Sequence, residues 1–210
     1  FTDITGDGVP ELVCTQNGHY GFYVPEAAEP LATWEFVKIS EPIAPNPFGH
    51  GLGVGDVNSD GRMDVIATDG WMEQPEAGPV EGRWKFHKHA FAHAGSDMFA
   101  YDVDGDDDAD IITALSAHEF GLAWYENTGI DGAGEIQYEQ HLVMGTTRED
   151  SPYGVLFTEL HAVKLADMNG DGLQDIVTGK TWWSHHTQSP MWDAGAVVYW
   201  IELSRNDDGT

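Results

Sequence analysis

"GVGDVNSDGRMDVIAT", residues 53–68, decides the fold, because it places an acidic loop between two short apolar strands. Oxygen-bearing side chains stand at the first, third, fifth and ninth positions of the loop: Asp56, Asn58, Asp60 and Asp64. A tightly wound loop can aim alternate side chains at one point, and calcium takes six to eight oxygen ligands. Gly61 at the sixth position permits the positive φ of a sharp bend. The stretch therefore predicts a loop that binds a hard cation between two β-strands.

The same pattern occurs four times in the chain, with loops that begin at Asp3, Asp56, Asp102 and Asp167. The first copy departs from the others, since it has Thr5 at the third position and Glu11 at the ninth. The third copy has Asp107 where the others have glycine, and aspartate tolerates left-handed geometry better than most residues. A single copy is compatible with an ordinary acidic turn. Four copies in register favour cation loops, because clustered carboxylates repel one another unless a dication lies among them.

Strands, and not helices, flank these loops. β-Branched runs such as "VIAT" and "IITA" follow each loop, aromatic segments come next, and the first three units add an amphipathic segment. EF-hands are unlike this pattern, because they need flanking helices and a glutamate at the twelfth position. Each unit is thus predicted to be a four-stranded antiparallel sheet, and sheets of this kind bury both faces when they stack radially. We expect one all-β domain, a β-propeller segment of about four blades at residues 1–45, 46–93, 94–150 and 151–210.

The D-x-[ND]-x-D-G-x-x-D loop between two apolar strands resembles the FG-GAP/VCBS repeat of calcium-binding β-propellers, which also form the head of the integrin α-subunit. The resemblance implies structural calcium in three to four loops, a seven-bladed ring and a secreted, periplasmic or cell-surface location. The chain begins inside a loop and ends after an aromatic strand, so we expect the remainder of its own propeller as a partner. A closed four-bladed ring is the alternative. The implied calcium ligands are Asp3, Thr5, Asp7 and Glu11; Asp56, Asn58, Asp60 and Asp64; Asp102, Asp104, Asp106 and Asp110; and Asp167, Asn169, Asp171 and Asp175.

The charge of the chain excludes some partners. There are 36 acidic and 9 basic residues, which give a net charge of −27. A field of that sign repels phosphate backbones and anionic membrane surfaces, so we expect no nucleic-acid partner. The apolar runs are too short to cross a bilayer, so we expect no membrane insertion.

Several histidines occupy repeated positions. His50 and His161 each lie six residues before the first aspartate of a loop, while His118, His185 and His186 follow the second strand of their units. These positions tend toward one mouth of a propeller channel, so the imidazoles are predicted to converge. Convergent neutral imidazoles bind Zn²⁺ or another transition ion, or act as general acid and base. The alternative is that each histidine caps a strand or bonds to a neighbouring blade.

"ELHAVKLADMNGDG", residues 159–172, is also similar to the propeller of the aldos-2-ulose dehydratases, which are metal-dependent lyases of keto-sugars. This looser resemblance implies elimination of water from a sugar, with a metal polarising the carbonyl and a histidine taking the proton.

"KTWWSHHTQSPMWDAG", residues 180–195, is an irregular insertion in which Trp182, Trp183 and Trp192 are candidate ligand-binding residues. We expect a recognition or scaffold module for a carbohydrate or protein partner; the alternative is a carbon–oxygen lyase acting on sugars.

Overall fold

The computed structural model describes residues 1–26, 29, 31–45, 49–183 and 185–205, and it confirms an all-β architecture. These residues form fourteen strands and one short 3-10 turn, at His186–Gln188. The first sheet, blade 1, contains β1 (Leu12–Gln16), β2 (His19–Val24) and β3 (Glu35–Lys38). The last sheet, blade 4, contains β12 (Val163–Ala166), β13 (Asp175–Lys180) and β14 (Val197–Ile201).

Two four-stranded antiparallel units lie between these sheets, as the sequence predicts for each repeat. Blade 2 contains β4 (Leu52–Gly55), β5 (Asp64–Ala67), β6 (Gly70–Glu73) and β7 (Lys85–Lys88). Blade 3 contains β8 (Asp97–Tyr101), β9 (Asp110–Ala114), β10 (Leu122–Ile130) and β11 (Ile136–Met144). In the described residues, blades 1 and 4 each have three strands: blade 1 has no strand before its acidic loop, and blade 4 has none after β14.

Blades 2 and 3 meet through their innermost strands. β4 and β8 run parallel, with Leu52 opposite Asp97 and Gly53 opposite Met98. A Cβ atom at Gly53 would lie 2.1 Å from the carbonyl oxygen of Met98, so this close approach of two backbones requires glycine. Parallel inner strands are what neighbouring blades around a common axis produce. The arrangement is consistent with a β-propeller-like fold.

The core lies between successive blades in three apolar clusters. The second strand of each complete blade contributes to two of them, because its alternate residues point to opposite faces. Val65 packs between blades 1 and 2, whereas Ile66 packs between blades 2 and 3. Ile111 and Ile112 divide in the same way on the two sides of blade 3. All four of these side chains are buried, and each contributes about 1.5–3 kcal/mol through burial.

The two ends of the inner strands β4, β8 and β12 carry different side chains. An acidic loop follows each of β4, β8 and β12, whereas His50, Ser96 and His161 precede the same three strands. The connections that carry His118 and His185 lie at the histidine end, since they join the second and third strands of blades 3 and 4. None of the described helical segments is long and apolar enough to cross a membrane.

Candidate metal sites

The four acidic loops share one backbone shape. Their sixth positions all have positive φ, with values of 88° at Gly8, 86° at Gly61, 73° at Asp107 and 92° at Gly172. Aspartate therefore takes the glycine conformation in the third loop, as the sequence predicts. The bend turns backbone N–H groups toward the first aspartate of the loop.

The fourth loop illustrates how the first aspartate organises the bend. One carboxylate oxygen of Asp167 accepts hydrogen bonds from the N–H groups of Gly170 (2.6 Å) and Asp171 (3.2 Å). The other oxygen accepts one from Gly172 at 3.0 Å. Asp3 and Asp56 accept loop N–H groups in a similar way. The loop thus holds its first carboxylate in place through its own backbone N–H groups.

The ninth-position acid has a second role that sequence reasoning missed. Asp110 is 1% exposed, and its two oxygens accept the N–H groups of Val103 and Asn127, each at 2.8 Å. Val103 is the second residue of the loop, and Asn127 lies on the third strand. The ninth-position acids of the other loops are equally buried and are also bonded to backbone N–H groups: Glu11, Asp64 and Asp175. Each one fastens its loop into its own blade.

The electrostatics of the loops fit a hard cation. One carboxylate oxygen each from Asp102, Asp104 and Asp110 lies within 4.8 Å of the others. Burial, together with the charges of Asp104 and Asp106, raises the pKa of Asp110 to about 6, although two backbone hydrogen bonds oppose the rise. Burial likewise raises the pKa of Asp64 to about 7. These carboxylates are costly to ionise together, and oxygen-only ligands of this kind suit calcium.

Side chains within or next to the loops donate hydrogen bonds to the candidate ligands or form ion pairs with them, and in the fourth loop Asn169 donates to Asp171 at 2.8 Å. In the second loop, the Arg62 guanidinium forms an ion pair with Asp60, and the amide of Asn58 donates to the same carboxylate at 3.0 Å. In the first loop, the hydroxyl of Thr5 donates to Glu11 at 3.3 Å. In the third loop, the Arg205 guanidinium lies 3.3 Å from a carboxylate oxygen of Asp102, and Asp104 and Asp110 have no cationic partner among the described residues.

Four of the predicted histidines lie together at the opposite end of the inner strands. The ring centroid of His118 lies 4.6 Å from that of His50, 4.8 Å from that of His161 and 4.2 Å from that of His185. His161 lies 5.5 Å from His50 and 4.9 Å from His185. Blade 2 supplies one ring, blade 3 one and blade 4 two. The side chain of His186 lies outside the described part of the chain.

The cluster fits a transition-metal ion. Ring nitrogens of His50, His118 and His161 lie within 4.8 Å of one another. The Nε2 atoms of His118 and His161 are buried and have no hydrogen-bond partner, which is costly unless another atom binds there. Imidazoles around one tetrahedral ion, with metal–nitrogen distances of about 2.0–2.1 Å, have ring centroids ~5 Å apart. The observed separations match that value.

Burial and neighbouring rings favour the neutral form of two of these imidazoles, His118 and His161, by lowering the pKa of each. Burial lowers the pKa of His118, and the rings of His185, His161 and His50 lower it further. Burial is also the main cause of the lowered pKa of His161. A neutral imidazole presents the lone pair that metal binding requires.

Glu159 completes the cluster and was missed at the sequence level. Its side chain is 1% exposed, and one carboxylate oxygen accepts a hydrogen bond from Nδ1 of His185 at 2.8 Å. The same oxygen lies 3.4 Å from Nδ1 of His161. Glu159 has a φ of 67°, a conformation that is rare outside glycine and is often found at functional sites. Its only sequence signal was its position two residues before His161.

The tryptophan-rich connection lies between β13 and β14, next to His185. Trp182 and Trp183 are 66% and 61% exposed, while Trp192 is half-buried and meets Trp183 edge-on at 5.8 Å. Buried Lys180 donates to the carbonyl oxygens of Thr181 and Trp192 and so ties the two ends of this segment together. Two indole rings are therefore exposed on the connection that also carries a histidine of the cluster.

Residues 3–67 match the family model of the FG-GAP-like repeat. The match runs from the first acidic loop through the second loop and β5. No curated protein matches the chain. The fold and the loops together define an all-β, propeller-like protein with an FG-GAP-like repeat, a combination that indicates a recognition or scaffold module.

Proposed function

We propose that the protein is a calcium-stabilised propeller with a transition-metal centre at one mouth of its channel, and that it acts there as a carbon–oxygen lyase on a sugar. One observation carries the proposal: four imidazoles from three blades lie side by side, and two buried Nε2 atoms lack a partner. Histidines that only capped strands within their own blades would not be expected to contact rings from other blades.

His50, His118 and His161 are the proposed metal ligands. Three imidazoles suit Zn²⁺ and similar ions, and leave a position for substrate. A bound ion of this kind polarises a carbonyl oxygen and so acidifies the neighbouring C–H bond.

His185 is the proposed general base. Glu159 accepts the proton on Nδ1 of His185, and this bond leaves Nε2 of the ring as the proton acceptor. The side chain of His185 is 41% exposed, so a substrate can reach it. His185 would take the C–H proton next to the carbonyl, and the electron pair would form a C=C bond as the β-hydroxyl leaves. Return of the proton from His185 to that hydroxyl releases water.

The exposed tryptophans support a sugar substrate. Indole faces stack on the apolar faces of sugar rings, and Trp182 and Trp183 stand on the same connection as His185. The net charge of −27 disfavours phosphorylated sugars.

The same proposal includes calcium in the acidic loops, export from the cell, and the remaining blades of the ring as a partner of this unit. The resemblance to FG-GAP/VCBS propellers supports these three points, and the oxygen-only donor set of the loops supports the first.

A recognition module for carbohydrates is the second candidate. The exposure of Trp182 and Trp183 favours it, since two exposed indole rings can bind a sugar without any chemistry. Such a module would bind saccharides equally well with and without a transition metal.

Cobalt binding tests the metal centre. Co²⁺ gives visible absorption when imidazoles bind it, and we expect the chain to bind one ion at the cluster. Replacing two ligands with rings of similar shape, in the double variant H118F/H161F, should weaken Co²⁺ binding at least about 100-fold, because it removes both unpartnered nitrogens. H141F is the matched control, because His141 lies on β11 and bonds to Glu126, not to the cluster. Equal Co²⁺ affinity in all three proteins would contradict the proposal.

Turnover separates the two candidate functions. The metal-loaded chain is incubated with an aldos-2-ulose, and the ultraviolet absorption of the unsaturated carbonyl product is followed. His185→Gln should bind Co²⁺ but lose turnover. Saccharide binding without turnover in the metal-loaded wild type would favour the recognition module.

A further inference from the structure

A Trp-x-Glu sequence recurs on the third strand of blades 2, 3 and 4, at the end of the strand in blades 2 and 4 and in its first half in blade 3. The three copies are Trp71–Glu73, Trp124–Glu126 and Trp200–Glu202. Neither the histidine cluster nor the nine-residue acidic loops include these residues. Their repetition indicates a role that is common to blades 2, 3 and 4.

In blades 2 and 3, a histidine on the fourth strand holds the glutamate. Trp71 stacks on its register partner His87 at 4.1 Å and 6°, and Nε2 of His87 lies 2.8 Å from a carboxylate oxygen of Glu73. In blade 3, Trp124 stacks on its register partner His141 at 4.4 Å and 19°. Nε2 of His141 lies 2.7 Å from Glu126. The stacked ring and its hydrogen bond fix the position of each carboxylate.

The glutamate of blade 4 contacts the third position of the acidic loop in its own blade, and the glutamate of blade 2 shares a cavity with that position. In blade 4, Glu202 accepts a hydrogen bond from Nδ2 of Asn169 at 3.0 Å. In blade 2, Glu73 and Asn58 line the same cavity, which has a volume of about 330 Å³.

In blade 3 the third-position residue is an aspartate, Asp104. Glu126 is followed directly by Asn127, whose N–H group donates to the ninth-position Asp110 of the same loop at 2.8 Å.

The residue that follows each glutamate is fastened to the same loop. The N–H groups of Gln74, Asn127 and Leu203 donate to the ninth-position aspartates of their blades at 2.8, 2.8 and 2.9 Å. The third strand thus contacts the loop through a backbone bond to the ninth position in all three blades, and in blade 4 also through a carboxylate bonded to the third position.

We infer that Glu73, Glu126 and Glu202 are positioning residues of the calcium loops, and that His87 and His141 hold two of them in place. This inference rests on the proposed calcium binding. In blade 4, Nδ2 of Asn169 donates to Glu202, while the amide oxygen accepts the N–H group of Asp171 inside the loop, on the side where it would also face a bound ion. Partners of this kind orient metal ligands, and their loss typically weakens metal binding 10- to 100-fold.

Hydrogen exchange read by mass spectrometry tests the inference loop by loop. Each variant is titrated with calcium, and the concentration that gives half-maximal protection is measured separately for residues 56–64, 102–110 and 167–175. Glu202→Ala should raise this concentration about tenfold for residues 167–175 and leave the other two loops unchanged. His141→Phe keeps a ring to stack on Trp124 but removes the hydrogen bond to Glu126, so it should raise the concentration for residues 102–110 alone.

Glu139→Ala is the matched control. Glu139 is the exposed register partner of Glu126, so its removal changes the charge of the same hairpin without breaking the bond to His141. An unchanged calcium midpoint in Glu202→Ala and His141→Phe, or an equal shift in Glu139→Ala, would overturn the inference while leaving calcium binding intact. Protection in the wild type that does not depend on calcium would overturn both the inference and the proposed calcium sites.

Discussion

The two ends of the inner strands are built in opposite ways. At one end, every blade has its own acidic loop, and each loop takes its predicted ligands from a single nine-residue segment. At the other end, blades 2, 3 and 4 contribute rings to one histidine cluster. The loops are thus local and repeated, whereas the cluster exists only when blades are assembled. We therefore expect the loops to control stability and the cluster to control chemistry.

The largest expected effect is the loss of stability on removal of calcium. A chelator should lower the unfolding temperature by about 10 °C or more, because each ion bound only by the folded state adds about 2.7 kcal/mol at 100 times its Kd. Differential scanning calorimetry measures this shift, and added calcium should reverse it. If the acidic loops and the histidine cluster are independent, the chelator should lower the unfolding temperature of H118F/H161F by the same amount as that of the wild type. An unfolding temperature that the chelator does not change would contradict the proposal that calcium stabilises the fold.

The ninth-position aspartates give the next largest effect. Asp110→Asn should destabilise the protein by about 2 kcal/mol. The amide NH₂ group of asparagine cannot accept a hydrogen bond, so one of the two buried backbone N–H donors, of Val103 or Asn127, would lose its acceptor. Urea unfolding in the presence of a chelator measures this cost without a contribution from calcium. Asp108→Asn removes the same charge from an exposed position of the same loop and should change stability by less than about 0.5 kcal/mol. Equal losses in the two variants would show that charge, and not the backbone bonds, decides stability.

The smallest expected effect concerns the second loop alone. Arg62→Gln should increase the calcium affinity of this loop about threefold, because the guanidinium competes with the ion for Asp60. Calcium-dependent hydrogen exchange of residues 56–64 provides the measurement. Arg83→Gln removes an exposed ion pair with Glu41 and serves as the control. A weaker second loop in Arg62→Gln would mean that Arg62 supports the site.

Repetition explains why much of this molecule could be predicted from its sequence. The four loops, the strands around them and the all-β fold follow from a pattern that occurs four times. The equal spacing of His50 and His161 from their loops placed them at the same level of two blades, and their rings lie 5.5 Å apart. The level of a residue within its blade can therefore be predicted from its position in the repeat, without knowledge of the contacts between blades.

Features that depend on those contacts could not be predicted. Glu159 was hidden among 36 acidic residues, and only the fold shows that it lies between His161 and His185. The parallel pairing of β4 with β8 joins strands from different repeats, which periodicity within one repeat does not reveal. The Trp-x-Glu copies were visible as aromatic segments, but their role depends on histidines that are neighbours across the sheet and distant in sequence.

Anomalous X-ray diffraction from zinc-loaded crystals tests the central claim most directly, because it locates the transition ion independently of the calcium loops. We predict one zinc ion within about 2.0–2.1 Å of ring nitrogens of His50, His118 and His161. Zinc found only among the acidic loops, or no anomalous signal at the histidines of a zinc-saturated protein, would contradict the division between the two ends of the inner strands.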